Sequence, residues 1–340
     1  MNSKDTTKER HIAVIGAGLA GAVFARRMLI QGYKVTVFDK SRGTGGRHAG
    51  CRMGNNSADL GAPFFDAVSP EFRKWLSFQP ELIGWQPQIT DFAGHKLNTK
   101  TMYTATPRQS ALTRALLQGA KLITSTRIGY IWPETQGVVV RDESGNAVGH
   151  FDHVVVATPA PQAAPLLEAV PRYAERAATV QTLPAWMLVV TLNTPSGLNA
   201  GLLEGDHPIL ARAIKDSAKP GRSCAQRAEI WTIEANSDWS KEHQDASTEA
   251  VAEQLLAAFQ DLMSVPLDVE EHRAHRWLYA RQQSDTDRTY LWREESSIGV
   301  CGDWLHGQGS EKIADSESAW RSGNALADHI LAQQEVNLDI

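Results

Sequence analysis

The chain has 340 residues, 42% of them hydrophobic and 21% charged, so it can bury the core of one large domain or two smaller ones. A formal charge of −5 without a cluster of lysines and arginines argues against nucleic-acid binding, and ten tryptophans predict an aromatic-walled cavity. Three widely spaced cysteines, and no apolar run of about 18 residues, favour a cytoplasmic protein that does not enter a membrane.

The predicted elements begin with a βαβ unit: a strand at 12–15, a helix that Gly32 ends, and a strand at 33–38. Ser69 and Pro70 are typical of a helix start, because serine caps N-termini and proline fits the first helical position. The following predictions are a ribbon over 84–103, a helix over 106–119, strands within 121–157, strands at 186–192, 229–235 and 269–280, a helix over 247–263, a strand at 298–302 and a helix over 318–332.

The first glycine-rich turn carries a dinucleotide-binding pattern. Gly16, Gly18 and Gly21 form GxGxxG between the first strand and its helix, and Asp39 closes the second strand. Such glycines allow a tight turn, the approach of a diphosphate to the helix N-terminus, and close helix–strand packing, while the acid suits a ribose diol. The pattern predicts binding of an ADP moiety and leaves NAD(P) and FAD open.

A second glycine-rich loop follows directly, with the sequence SRGTGGR at 41–47. Arg47 ends this loop, and its guanidinium could form forked hydrogen bonds with diphosphate oxygens. A simple NAD dehydrogenase has no need of this loop, so it favours FAD. Here the chain resembles the glutathione-reductase-type FAD proteins, in particular their amine-oxidase-like branch.

Within that branch the chain most resembles the renalase-like proteins, bacterial ones included. The similar segments are FDKSRGTGGR (38–47), DLGAPFF (59–65), VVVATPAPQA (154–163), AHRWLYAR (274–281), VCGDW (300–304) and AWRSG (319–323). The resemblance implies non-covalent FAD, with Asp303 on the ribitol chain and the last helix directed at the flavin pyrimidine. It assigns to the cofactor the residues Gly16, Gly18, Leu19, Ala20, Gly21, Asp39, Lys40, Arg42, Gly46, Arg47, Gly61, Ala62, Ile128, Ala157, Thr158, Gly302, Asp303, Glu317, Ser318 and Ala319.

The sequence motifs identify the residues that would contact the substrate less clearly than those that would contact the cofactor. On AHRWLYAR, strand alternation puts His275, Trp277 and Tyr279 on one face, which could wall a flavin cavity or simply pack. Trp304 is a further candidate for the wall. Pro63 and Phe64 stand where bacterial renalases tend to have glutamine and tyrosine, which removes polar groups from the expected pocket.

The expected chemistry needs few titrating groups. Renalases oxidise stray NAD(P)H isomers, reduced at the 2 or 6 position of the nicotinamide, to NAD(P)+ while O2 becomes H2O2. Because hydride loss leaves an aromatic cation, no general base is required, and the sequence offers neither a convincing base nor metal-ligand spacing.

We therefore expect an α/β flavoprotein with a Rossmann-type, glutathione-reductase-like FAD-binding domain over 8–75, 104–165 and 291–336. An α+β, sheet-based substrate domain is expected over 76–103 and 166–290. The expected partners are a small-molecule substrate and O2, for a monomer or homodimer. The alternatives are an amine or C–H oxidase acting on another metabolite, and a non-catalytic FAD-binding protein.

Overall fold

The protein is described here by a computed structural model covering residues 10–222, 229–283, 286–305 and 315–338. Its strands are β1 His11–Ile15, β2 Lys34–Phe38, β3 Gly50–Met53, β4 Asn56–Asp59, β5 Leu82–Trp85, β6 Ile89–Thr90, β7 Met102–Ala105, β8 Lys121–Ile123, β9 Ile128–Glu134, β10 Gly137–Asp142, β11 Ala147–Phe151, β12 His153–Val156, β13 Gln181–Leu192, β14 Leu202–Glu204, β15 Leu210–Lys215, β16 Glu229–Ala235, β17 Val269–Gln283, β18 Leu291–Arg293 and β19 Ile298–Val300. Its helices are α1 Leu19–Ile30, α2 Pro70–Ser77, α3 Ser110–Leu116, α4 Ala160–Leu166, α5 Pro171–Ala178, α6 Ser237–Glu242, α7 Thr248–Gln260 and α8 Ser316–Leu338.

The chain divides into two compact units, and each contains several separate segments. The first unit takes its described residues from Met1–Gly46, Thr113–Gln181 and Gln282–Ile340, and the second consists of Arg47–Leu112 and Thr182–Arg281. These limits differ from the predicted domains at four places: 47–75 and 104–112 lie in the second unit, whereas 166–181 and 282–290 lie in the first. The first difference arises because the chain passes from one unit to the next at Gly46–Arg47, inside one continuous glycine-rich motif.

The first unit is built on a six-stranded sheet in the order β18-β19-β12-β1-β2-β8. Strands β19, β12, β1, β2 and β8 are parallel neighbours, and β18 is antiparallel to β19. The β-branched residues of β1 and β12 are buried, as expected for strands covered on both faces. An antiparallel sheet of β9, β10 and β11 completes this unit, so the predicted Rossmann-like βαβ start is confirmed.

The second unit is built on another six-stranded sheet, in the order β17-β13-β16-β15-β14-β6. Strands β13, β16, β15 and β14 pair antiparallel. One face packs Leu188, Val190 and Trp231 against α7, whose predicted cap Ser247 accepts a hydrogen bond from the Ala250 N–H. The other face packs against β3–β4 and the residues that follow them. The predicted second, sheet-based domain is therefore confirmed as a fold.

Two predicted helices have the expected start, and three short helices, α4, α5 and α6, were not expected. Ser69 caps α2 by accepting a hydrogen bond from the Phe72 N–H at 3.1 Å. Helix α4 contains Pro165, a residue that argues against a helix in sequence, but its buried alanines pack into the first unit's core. None of the helices in the described residues is long and apolar enough to cross a membrane.

Candidate active site

The turn between β1 and α1 has the geometry that its glycines predict. Gly16 has φ +113°, and a Cβ there would lie 2.5 Å from the Ala157 carbonyl oxygen. A Cβ on Gly21 would lie 2.2 Å from the Gly16 carbonyl oxygen, so only glycine allows α1 to pack this closely. A Cβ on Gly18, by contrast, would meet no atom within 4 Å. Gly18, at the N-cap of α1, therefore presents an open backbone to which a diphosphate can approach.

Asp39 lies beside this turn, at the end of β2. Its carboxylate accepts hydrogen bonds from the Ala17 N–H at 2.8 Å and the Ser41 N–H at 2.7 Å. The side chain thus orders both glycine-rich loops, and its predicted contact with a ribose remains a prediction. Lys40 and Arg42 lie exposed in the second loop. Although the residue as a whole is exposed, partial desolvation of its ammonium, followed by the positive charge of Arg127, lowers the pKa of Lys40, and Asp39 partly opposes this shift.

The second glycine loop packs directly on the first. The Gly45 N–H donates to the Ala17 carbonyl at 2.9 Å, and a Cβ on Gly46 would lie 3.2 Å from the Gly18 Cα. Both Gly45 and Gly46 have positive φ, which glycine adopts without strain. The guanidinium of Arg47 donates to the Ala280 carbonyl at 3.2 Å, within the second unit. Its predicted diphosphate contact stays a prediction.

The ends of β12 and β19 meet at Thr158 and Trp304. The Thr158 hydroxyl oxygen is buried and has no hydrogen-bond partner in the described part of the chain. Trp304 is fully buried, and its indole N–H donates to the Thr158 carbonyl at 3.2 Å. The prediction of Trp304 as a cavity wall is therefore corrected: its ring packs in the core of the first unit, where it fixes the loop after β12.

Gly302 and Asp303 are held by two side chains that were not among the predicted site residues: Ser322, within the quoted segment AWRSG, and Gln282, outside every quoted segment. The Gly302 N–H donates to the Ser322 hydroxyl at 2.9 Å. Gln282, which is fully buried, donates its amide N–H to the Asp303 carboxylate at 2.8 Å and accepts from the Ala160 N–H at 2.7 Å. Gln282 thereby orients the acid that was predicted to bind the ribitol chain. It was missed because its partners lie far away in the sequence.

Helix α8 begins slightly before its predicted start and lies close to α1. A Cβ on Gly323 would be 2.5 Å from the Ala20 carbonyl oxygen. The first turn of α8 contains Glu317, which is buried and pairs with Arg321 at 2.8 Å, followed by the half-buried Ser318 and the buried Ala319. The Asp315 carboxylate accepts from the Ser318 N–H at 2.7 Å. These carboxylates partly compensate the positive end of the helix, which weakens the predicted stabilisation of an anionic flavin there.

One face of β17 in the second unit carries the predicted substrate residues. Trp277 donates its indole N–H to the Leu60 carbonyl at 2.9 Å, and a Cβ on Gly61 would lie 3.3 Å from the Trp277 ring. His275 packs edge-on against Trp277, with ring centroids 4.7 Å apart, and Tyr279 is half-buried two residues further on. The backbone of Ala62 donates to the Arg47 carbonyl at 2.7 Å. The structure thus joins the predicted segments 59–62 and 274–281.

The imidazole of His275 is held in its neutral form. Burial of the ring, followed by the nearby positive charge of Arg273, lowers the pKa of His275 below its ordinary value. His275 also borders a cavity of about 500 Å³ together with Trp186 and Arg276. At neutral pH the His275 ring is consequently uncharged, although the cavity that it borders also includes the guanidinium of Arg276.

Three further predicted residues lie in packed surroundings. Pro63 and Phe64 are buried, and the Phe64 ring packs on Trp85 with centroids 6.4 Å apart. Ile128, at the start of β9, is buried in the core of the first unit. Burial of Phe64 explains why an apolar residue is accepted there, and it gives Phe64 a packing role where a pocket wall was expected.

The six-stranded sheet of the second unit also carries a group of charged residues that the sequence analysis did not predict. Glu234 on β16 is buried and accepts hydrogen bonds from Arg212 at 2.5 Å and from Arg281 at 2.9 Å. Arg212 lies over the Phe64 ring at 5.3 Å. Burial opposes ionisation of Glu234, but the two guanidiniums hold its pKa below the ordinary value.

No group of three metal-ligand side chains occurs among the described residues.

The residues of the first unit fit the adenosine diphosphate part of FAD. The backbone at Gly18 is open to a ligand, and the buried Thr158 hydroxyl has no hydrogen-bond partner in the described part of the chain.

Structural comparison shows a similar fold in two oxidases. A protein assigned as a protoporphyrinogen oxidase from Exiguobacterium sp. 255-15 is 10% identical, with a TM-score of 0.70 over 96% of this chain and 99% of that one. A putrescine oxidase bound to putrescine is 11% identical, with a TM-score of 0.67 over 95% of this chain and 99% of that one.

Family comparison identifies the cofactor. Residues 14–78 match the NAD(P)-binding Rossmann-like domain, and residues 89–331 match the family described as flavin containing amine oxidoreductase. The second match spans well over half of the chain and includes parts of both units. The chain therefore belongs to the flavin containing amine oxidoreductase family and is an FAD-dependent oxidoreductase.

Proposed function

We propose that this protein is an FAD-dependent oxidase of reduced pyridine nucleotides, acting on NAD(P)H isomers reduced at the 2 or 6 position. The observation that carries the proposal is the aromatic, uncharged run on β17 formed by His275, Trp277 and Tyr279. Aromatic rings suit a planar dihydropyridine, which can stack on them. The segment resemblance over AHRWLYAR supports the same substrate.

The proposal also agrees with the directions of the pKa shifts of His275 and Glu234. When bound, FAD would supply a hydride acceptor for the reduced ring, and O2 would take up the two electrons with two protons to give H2O2. Since hydride loss leaves the nicotinamide as an aromatic cation, the chain has no proton to remove from the substrate. A neutral His275 and a Glu234 held ionised between two guanidiniums are consistent with a reaction in which the protein removes no proton from the substrate.

Anaerobic mixing tests the substrate. The oxidised holoenzyme is mixed with each dihydro isomer, and flavin absorbance is followed. We expect the absorbance to bleach within seconds and to return with formation of H2O2 when O2 is admitted. Failure of every isomer to bleach the flavin would overturn the substrate assignment.

Variants on the two faces of β17 test whether the substrate stacks on the face that carries His275, Trp277 and Tyr279. Tyr279→Leu removes a ring from the proposed face, and we expect about fivefold weaker saturation by the dihydropyridine, from loss of about 1 kcal/mol of aromatic contact. Leu278→Ala is the matched control, because Leu278 points to the other face and is 41% exposed. Equal effects of the two changes would argue against stacking on Tyr279.

The second candidate is oxidation of an amine, which is favoured by the family and by the fold shared with a putrescine oxidase. Alkylamines have pKa values of about 10, and oxidation proceeds from the neutral amine, so bleaching by an amine should accelerate with pH between about 7 and 9. Bleaching by a dihydropyridine should be nearly constant over that range. Reduction by putrescine alone, with this pH dependence, would select the amine function.

A further inference from the structure

Two arginines on the second unit's sheet share one carboxylate. Arg212 on β15 donates from Nε to one Glu234 oxygen, and Arg281 on β17 donates from Nη2 to the other. The Glu234 side chain is only 7% exposed, whereas those of Arg212 and Arg281 are 25% and 35% exposed. A buried carboxylate thus fixes two guanidiniums that themselves reach solvent.

The pair retains unused hydrogen-bond donors. A guanidinium has five N–H donors, and in the described part of the chain each arginine uses a single one, on Glu234. Two positive charges also face one negative charge in this cluster. Glu204 lies opposite Arg212 in the register of β14 and β15 but forms no ion pair with either arginine in that same part of the chain. The cluster is therefore equipped to receive an oxyanion.

The arginine pair lies on the same sheet face as the aromatic residues. Arg281 follows Tyr279 by two residues on β17, so alternation puts their side chains on one face about 7 Å apart along the strand. Arg212 contacts the Phe64 ring, and Phe64 belongs to the segment whose Leu60 carbonyl binds Trp277. In a nucleotide, a ribose of comparable length separates the base from its phosphate.

We infer that Arg212 and Arg281 bind the diphosphate of a dinucleotide substrate. This inference rests on the proposed function, because it assigns the phosphate end of the molecule whose reduced ring lies on Tyr279 and Trp277. Planar, forked N–H groups match phosphate oxygens, and Glu234 orients both forks before the substrate arrives. The same two charges oppose binding of a cationic amine, so the site selects for phosphate-bearing donors.

Calorimetric titration of the FAD-loaded protein with inorganic pyrophosphate tests the site without turnover. Wild-type protein should bind pyrophosphate with an affinity that falls as salt is added, since the contact is ionic. Arg281→Met and Arg212→Met should each weaken binding by about tenfold to hundredfold, the effect of losing charge-assisted hydrogen bonds. Glu204→Gln should strengthen binding by about twofold to threefold, because it removes a nearby negative charge.

Arg276→Met is the matched control. Arg276 lies on the opposite face of the same strand, where it packs over Trp186 at 5.8 Å, so its removal should leave pyrophosphate affinity unchanged. Bound FAD and thermal unfolding show whether each variant is folded. Arg281→Lys, which retains the positive charge beside Glu234, covers the case in which Arg281→Met does not fold, and it should still weaken pyrophosphate binding because it cannot form the fork.

A second measurement separates this inference from the proposed function. Flavin bleaching is compared for a dihydro-NAD isomer and for the matching dihydronicotinamide riboside, which has no phosphate. Arg281→Met should raise the half-saturating concentration of the dinucleotide about tenfold or more and leave that of the riboside unchanged. Bleaching with equal response of both donors to the variants would overturn the arginine site alone. Pyrophosphate binding that depends on the arginines, without bleaching by any dihydropyridine, would overturn the proposed function alone.

Discussion

The two units depend on different kinds of local interaction. In the first unit, Gly16, Gly18 and Gly21 present main chain, and the buried Gln282 amide orients Asp303. In the second unit, buried ions hold one another: the Lys219 ammonium lies 2.7 Å from Asp59 and 2.6 Å from Asp216, and Arg222 also binds Asp59. A main-chain site is therefore sensitive to the addition of atoms, whereas an ionic cluster is sensitive to the loss of one charge.

The ion cluster should give the largest response to a single substitution. Asp59→Asn leaves a buried positive charge without its full compensation, and we expect the free energy of unfolding to fall by about 3–5 kcal/mol. Denaturant unfolding of the holoenzyme measures this loss. Asp66→Asn is the control, because the Asp66–Lys100 pair is exposed and should contribute at most about 1 kcal/mol. Similar losses in the two variants would contradict the contrast between the units.

Addition of one methyl group tests the main-chain site. Gly18→Ala introduces a Cβ into open space, so the protein without FAD should keep its stability. The same methyl group would hold the diphosphate away from the helix N-terminus, and we expect about a hundredfold weaker FAD binding, equivalent to about 3 kcal/mol of lost hydrogen bonding. Fluorescence titration with FAD measures the affinity.

Gly43→Ala is the control for that substitution, since a Cβ on Gly43 also meets nothing within 4 Å but lies on the exposed part of the second loop. Its FAD affinity should stay close to that of the wild type. Unchanged affinity in Gly18→Ala would remove Gly18 from the cofactor site.

These glycines also show what the sequence could predict. Positive φ and close packing at Gly16 and Gly21 admit essentially one residue type, so the backbone requirement is visible in the sequence itself. The Arg212–Glu234–Arg281 cluster has no comparable signal, because β15, β16 and β17 contribute one ordinary charged residue each. Its existence depends on strand order and register, which local patterns do not specify.

Residue type alone also does not predict how deeply each aromatic residue is buried. Trp277 and Trp304 both donate an indole N–H to a backbone carbonyl, but Trp304 is fully buried and Trp277 is only partly so. Trp304 is more deeply buried because it lies in the hydrophobic core of the first unit. The break at Gly46–Arg47 was hidden for a similar reason, because one motif continues across the boundary of two units.

A smaller effect is expected from a neutral buried group in the first unit. Burial of the ring, followed by the positive charge of Arg10, lowers the pKa of His153 to about 4. The unfolded chain, with a histidine pKa of about 6.5, therefore binds more protons between pH 6.5 and 4, and stability falls as the pH decreases through that window. His153 should account for about 2 kcal/mol of the loss between pH 7 and 4.5.

Replacement of the ring measures this contribution. His153→Phe should reduce the acid-induced loss of stability by that amount, as seen by unfolding at pH 7 and pH 4.5. His150→Gln, at an exposed position of the same unit, should leave the pH dependence unchanged. Equal acid sensitivity of His153→Phe and the wild type would show that another group is responsible.

The close approach of Gly323 to Ala20 has a consequence for biosynthesis. Helix α1 leaves the ribosome before both segments of the second unit, whereas α8 is made after them. Throughout translation, the face of α1 that will later cover α8 must remain exposed or be shielded by a chaperone. The second unit can complete its sheet earlier, so it should be assembled before the first unit.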